Sequence, residues 1–220
     1  MRARRRAELI ARAAHLTRAS RVLEVGCGTG VFTEYFVATG AQLIAVDISP
    51  ELLEKARKRN LPATRVLFKE SRFEDCDIDG PFDAVIGSSV LHHLDLARTL
   101  PKIFQLLKPG GYLSFAEPNY LNPQVFLERK LHFLPMFSYV SPDESAFIRW
   151  QLAAQLRQTG FKEITIVPFD WLHPQSPRLL IPLVRAIGWI LEHLPVCWEF
   201  SGSLFIAARK PISAGSKVAA

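Results

Sequence analysis

The sequence predicts an α/β protein: a doubly wound, mostly parallel sheet with helices on both faces. Three observations predict it. Short runs of β-formers alternate with helical periodicity through the first half of the chain. Those runs are apolar throughout, as expected of parallel strands buried on both sides. The first run ends in a turn with three glycines in five residues, Gly26, Gly28 and Gly30. Ligands on such sheets bind beyond the carboxyl ends of the strands, where that turn lies.

A helix is expected over 3–19, with Leu9, Ile10, Ala13 and Leu16 on one face. The first strand covers 22–25, and a helix over 31–39 follows the glycine turn and stops at Gly40. After a strand at 43–46, Ser49 and Pro50 open a helix reaching about residue 60, serine as N-cap and proline at the first helical position. Strands at 65–68 and 84–86, a helix at 96–107, a turn at Pro109-Gly110-Gly111 and a strand at 112–116 come next. The connections should be right-handed crossovers.

With 220 residues, 49% hydrophobic and 22% charged, the chain suits one globular domain, residues 1–210, ahead of a disordered tail at 211–220. The longest apolar stretch, 179–194, is cut by Arg185 and Glu192, so no membrane span is expected. No apolar segment follows the basic N-terminus, which argues against a secretory signal. Cys27, Cys76 and Cys197 form no CxxC pair, arguing against a disulfide framework or zinc site and for a cytoplasmic location. The net charge of +6 sits entirely in residues 1–21, which hold seven arginines and one acid. The body is therefore neutral. The arm reads as a solvated helix end, and nucleic acid is not the expected partner.

The glycine spacing is G-x-G-x-G; Val31 stands where the G-x-G-x-x-G of dinucleotide enzymes needs its third glycine. Glu24 precedes the glycines, a poor neighbour for pyrophosphate and a good one for a cation. Asp47 closes the second strand about 20 residues after the first glycine, where an acid can accept hydrogen bonds from ribose hydroxyls. Together they suggest a nucleoside with a positively charged tail and no phosphates.

At these residues the sequence resembles the class I S-adenosylmethionine-dependent methyltransferases. The matching motifs are E-V-G-C-G-T-G at 24–30, V-D-I-S at 46–49, F-D-A-V at 82–85, L-H-H-L at 91–94 and L-K-P-G-G-Y-L at 107–113. The resemblance implies a Rossmann-like seven-stranded sheet with an antiparallel last strand. It implies S-adenosyl-L-methionine as donor and S-adenosyl-L-homocysteine as product. Glu24, Gly26, Gly28 and Gly30 would serve its methionine part, Asp47 and Ile48 the ribose side, and Ser88 the rim. In the family an acid often follows the third strand and accepts from the adenine amino group. Here the register puts Arg72 there, which cannot accept, leaving the Phe73 backbone for the ring edge.

Methyl transfer from a sulfonium needs alignment, exclusion of water and, for an alcohol or phenol, a base. His92 and His93 follow the fourth strand and are the candidate bases, His93 favoured. Ser89 and His92 stand where metal-binding relatives carry acids, so no metal is expected. Gly87-Ser88-Ser89-Val90 lacks the Asn/Asp-Pro-Pro-aromatic run of enzymes that methylate amino groups on bases. Glu117 is either a substrate contact or a structural residue of its turn.

The sixth strand reads as 162–169 and the seventh as 203–208. Two insertions, about 118–149 and 170–201, leave the ligand edge and are expected to form an α-helical cap over the donor. All four tryptophans, Trp150, Trp171, Trp189 and Trp198, lie at or after the first insertion, alongside Phe126, Phe133, Phe137 and Tyr139. His132 and His173 have no assigned role. An aromatic cap suits O-methylation of a hydrophobic, quinone-like or lipid-like small molecule. The helical pattern at 180–194, with Arg178, Arg185 and His193, also suits peripheral membrane contact. The alternatives are an RNA or other macromolecule methyltransferase using the arginine arm, and a non-catalytic cofactor-binding module. A dehydrogenase is disfavoured by the glycine spacing.

Overall fold

The computed structural model describes residues 2–131, 133, 146–172 and 176–212. Seven strands form one sheet: β1 (Arg21–Val25), β2 (Gln42–Asp47), β3 (Val66–Glu70), β4 (Phe82–Ser88), β5 (Leu107–Pro118), β6 (Lys162–Phe169) and β7 (Ser203–Arg209). Their order is β3-β2-β1-β4-β5-β7-β6. β7 runs antiparallel to both neighbours, and the other six run parallel to one another. The order reverses at β1, so the crevice beyond β1 and β4 is where such a sheet receives a ligand.

The helices are α1 (Arg2–Ala13), α2 (Val31–Val37), α3 (Pro50–Arg57), α4 (Leu96–Leu106), α5 (Pro123–Lys130), α6 (Arg149–Thr159) and α7 (Ile181–His193). Successive strand residues point to opposite faces. Val22 joins Ile10 of α1, Phe36 of α2 and Leu53 of α3 in one core. Leu23 and Val25 join Leu100 and Ile103 of α4 and Leu152 and Leu156 of α6 in the other. The N-caps follow local chemistry: the Ser49 hydroxyl accepts from Leu52 N, and the side chains of Asp95 and Asn122 do the same for α4 and α5.

Two expectations are corrected and one is refined. Pro109-Gly110-Gly111 turns within β5 as a bulge: from Phe82 to Ala84 β4 advances two residues while β5 advances five, from Leu107 to Tyr112, and Gly110 N donates to Lys210 O (2.9 Å) and Lys210 N to Gly111 O (2.8 Å). Gly110 supplies the φ of 81° that this bulge requires. The first helix ends at Ala13, where His15 adopts a φ of 49° and turns the chain. The arginine arm is not a solvated end either. Ala7 and Ile10 are at most 1% exposed, and Arg6 is 2% exposed.

Arg6 reaches the ligand edge. Its guanidinium donates to Asp170 Oδ2 (3.3 Å), Ser89 Oγ (3.3 Å) and Ser203 Oγ. Burial, with the Arg2 charge nearby, pulls its pKa down to about 10 against the opposing pull of Asp170. The described parts of the two insertions pack on each other. Asn119 Nδ2 donates to Glu199 O (2.8 Å) and Ser201 O (2.7 Å), Asn122 Nδ2 to Phe200 O (2.7 Å), and Arg149 pairs with Glu199. His132, Phe137, Tyr139, His173 and the tail from 213 lie outside the described residues.

Candidate functional site

A cleft of about 680 Å3 opens where the carboxyl ends of β1, β2 and β4 meet. Its floor is the glycine turn. Gly26 has a φ of 67°, and a Cβ there would stand 2.3 Å from Val90 Cγ2, so the turn packs under the segment after β4 only without a side chain. Gly28 has a φ of 52°, and a Cβ there would meet nothing within 4 Å. Its missing side chain leaves backbone open to the cleft. Gly30 has a different duty: it precedes α2, and a Cβ would stand 3.2 Å from the Ala56 backbone of α3.

Asp47 ends β2 facing the turn. Its Oδ2 accepts from Gly28 N (2.7 Å) and its Oδ1 from Ser49 N (3.0 Å). Each oxygen keeps a further lone pair for a ligand hydroxyl. Ile48, 65% exposed, offers an apolar shelf beside it. Ser88, at the end of β4, is buried with its hydroxyl lacking a protein partner. Phe73 and Arg72 stand on the opposite wall, as does Glu74, whose Oε1 accepts from Asp95 N (3.3 Å) and whose Oε2 lies 3.5 Å from Arg72 Nε.

The two histidines separate. His93 lines the cleft. His92 is buried behind it, Nδ1 2.7 Å from Glu117 Oε2, with the two ring centroids 4.0 Å apart. Glu117 is wholly buried, and its Oε1 also accepts from Val90 N and Leu91 N, both at 3.0 Å. The carboxylate therefore shapes the turn that carries both rings. Of its two sequence roles, the structure shows the structural one.

Of the sequence-selected residues, Gly26, Gly28, Asp47, Ile48, Phe73, Ser88 and His93 line this cleft. Glu24, Gly30 and His92 stand behind its wall. Among the described residues none beyond Leu94 lines it, and none of the four tryptophans does. Trp171 and Trp189 line a separate cavity of about 590 Å3 with Arg5, Asp170, Arg185 and Glu192. The described parts of the insertions therefore do not roof the cleft as expected. Glu74 was missed as a wall residue. It sits in Glu70–Asp75 among three acids, and nothing in one sequence distinguishes it from the others.

Residues 23–113 match the sequence model of a methyltransferase domain. They carry the glycine turn, Asp47 and both histidines on the sheet order described above. Residues 23–113 form a class I methyltransferase domain. A solved S-adenosylmethionine-dependent methyltransferase from Archaeoglobus fulgidus shares the fold at a TM-score of 0.64, with 21% identity over 93% of this chain and 92% of that one. Another from Mesorhizobium loti gives 0.66, with 21% identity over 92% and 97%. Among curated relatives, a ubiquinone biosynthesis O-methyltransferase of Xylella fastidiosa is 34% identical over 64% of this chain and 60% of its own length. One of Xanthomonas oryzae is 38% identical over 46% and 44%. The chain thus spans less than two thirds of these relatives.

The methyltransferase cleft fits the cofactor its class implies. Its volume suits a nucleoside with an amino-acid tail. Asp47 offers acceptors, the orphaned Ser88 hydroxyl lacks a partner, and Gly28 exposes backbone. Glu24, which the sequence offered as a negative neighbour for a cation, lies beneath the turn and is held mostly protonated at neutral pH. It is 1% exposed with Oε2 unpartnered, and its pKa is pushed up to about 8. Burial drives the shift; the Thr33 hydroxyl opposes it, and the Asp47 charge adds to it.

The folded protein therefore holds a proton that the unfolded chain releases above its ordinary value of 4.5. Native stability should fall as pH rises from that value to about 8, then level off. Glu24→Gln should remove this slope, on the order of a few kcal/mol. Thermal melts across that range check it; parallel profiles for the two proteins would contradict it.

Proposed function

We propose that the chain transfers the methyl group of S-adenosyl-L-methionine to an oxygen of a hydrophobic, quinone-like small molecule. The observation that carries this reading is the placement of Asp47 and His93 on one cleft at the carboxyl edge of the sheet. Similarity to O-methyltransferases of ubiquinone biosynthesis supports the acceptor class. When bound, the donor supplies a methyl carbon already activated by a positive sulfur.

The chain's own part is positional and acid-base. Asp47 holds the ribose hydroxyls, and the bare Gly28 backbone lets the amino-acid tail lie close. Ser88 gives its unpartnered hydroxyl to the donor. His93 removes the acceptor's hydroxyl proton as the new bond to oxygen forms. His92 positions it: with Nδ1 donating to Glu117, the His92 ring is fixed against the face of His93. Arg2, Arg4, Arg5 and Arg6 each pair with a carboxylate of this chain, which supports a small-molecule acceptor over a nucleic-acid one.

His93→Gln should lower turnover of a catechol or hydroquinone acceptor by about 10²–10⁴-fold. Affinity for S-adenosylhomocysteine should stay unchanged by calorimetry. The assay uses labelled donor with phenols, hydroquinones and RNA side by side. Label in RNA alone, or full turnover by the variant, would overturn the reading.

A further inference from the structure

We infer that α7 is the docking surface of this protein for an anionic lipid bilayer. The inference stands on the surface itself and does not rest on the proposed acceptor.

The helix is held to the body along one side. Gly188 is its one fully buried residue, and a Cβ there would stand 2.9 Å from Trp171 Cβ. Glu192 extends the same attachment, accepting from Asp170 N (2.7 Å) and both terminal nitrogens of Arg5. Leu183, Ile187, Ile190 and Leu194 recur every three or four residues and so share one face of a 3.6-residue helix. That face points away from Gly188. All four are among the exposed large hydrophobics, Leu183 at 56%, and the stripe is prolonged by Leu179 at 91%. On its flank Trp189 is 64% exposed, beside Arg185 and His193.

A soluble surface rarely gathers so many apolar side chains on one helix. The charge around it selects the occupant. Residues 2–8, 170–172 and 178–194 are tied together by the Arg5–Glu192 and Arg2–Asp170 pairs. They hold six arginines, at 2, 4, 5, 6, 178 and 185, against the carboxylates of Glu8, Asp170 and Glu192. The apolar stripe therefore lies in a field of net positive charge. A second copy of this face would bring like charge against like. An anionic bilayer offers both an apolar interior for the stripe and negative headgroups for the arginines. Among the described residues no helix is long and apolar enough to cross a membrane. α7 would lie in the plane of the interface, its apolar side chains entering the acyl boundary.

The test is co-sedimentation of the full chain with phosphatidylcholine vesicles, with and without phosphatidylglycerol. Binding is expected to the anionic vesicles and to weaken with salt. Leu183→Asp with Ile190→Asp should lower it by more than about tenfold. These side chains are exposed, so the melting temperature should hold and distinguish lost docking from lost fold. Arg178→Gln with Arg185→Gln should weaken anionic binding while leaving any residual binding to neutral vesicles unchanged.

The inference is overturned if the wild type stays in the supernatant, if the two-aspartate variant sediments as the wild type does, or if both vesicle types bind equally. It is also overturned if sedimentation velocity shows a dimer that the same variant dissolves without any vesicle binding, which would assign the face to a second copy.

Discussion

Replacing Glu117 with alanine should destabilise the fold by about 3–5 kcal/mol, the range for removing one partner from a buried charged hydrogen-bond set. The carboxylate has no exposed surface and accepts from Val90 N, Leu91 N and His92 Nδ1. Alanine would leave all three donors buried without acceptors. Glu117→Gln should be far milder. Its amide oxygen still serves the two backbone groups, and its NH2 can meet His92 once the imidazole moves its proton from Nδ1 to Nε2. Chemical denaturation gives the stabilities, and imidazole 15N shifts report the tautomer. Equal loss in both variants, or an unchanged tautomer in the glutamine protein, would contradict this account.

The second large effect concerns Asp47. Alanine there should weaken S-adenosylhomocysteine binding by about 10²–10³-fold, as expected for losing two charge-assisted hydrogen bonds. Stability should suffer less, by about 1–2 kcal/mol, because water in the cleft can replace the acceptor at Gly28 N. Asp47→Asn is the sharper probe. One amide oxygen cannot serve both Gly28 N and Ser49 N, so the NH2 must face a donor. Asparagine should therefore bind the product nearly as poorly as alanine despite its matching shape. Calorimetry decides; affinity retained in either protein would remove Asp47 from the ribose.

Most of the sheet could be read directly from the chain, because parallel strands are uniformly apolar and their crossovers carry ordinary caps. The sixth strand matched its observed bounds, Lys162–Phe169. The turn at Pro109–Gly111 was legible from its own residues, whereas its place inside one continuous strand rests on pairing with Lys210, a hundred residues on. The cleft divided the same way. Gly28 and Asp47 were legible because the turn chemistry is local. The burial of His92 was not, since its partner Glu117 lies 25 residues away. The arginine arm misled for a related reason. Composition reports the charge of Arg6, whereas its burial depends on Asp170, Ser89 and Ser203.

That guanidinium also constrains when the protein can become itself. Asp170 and Ser203 lie 164 and 197 residues downstream of Arg6. During synthesis the Arg6 cation stays hydrated until Asp170 and then Ser203 have left the ribosome. A nascent chain halted before β7 would hold that cation without Ser203, although Ile10 and Ala14 already have Val22 and Phe36 to pack against.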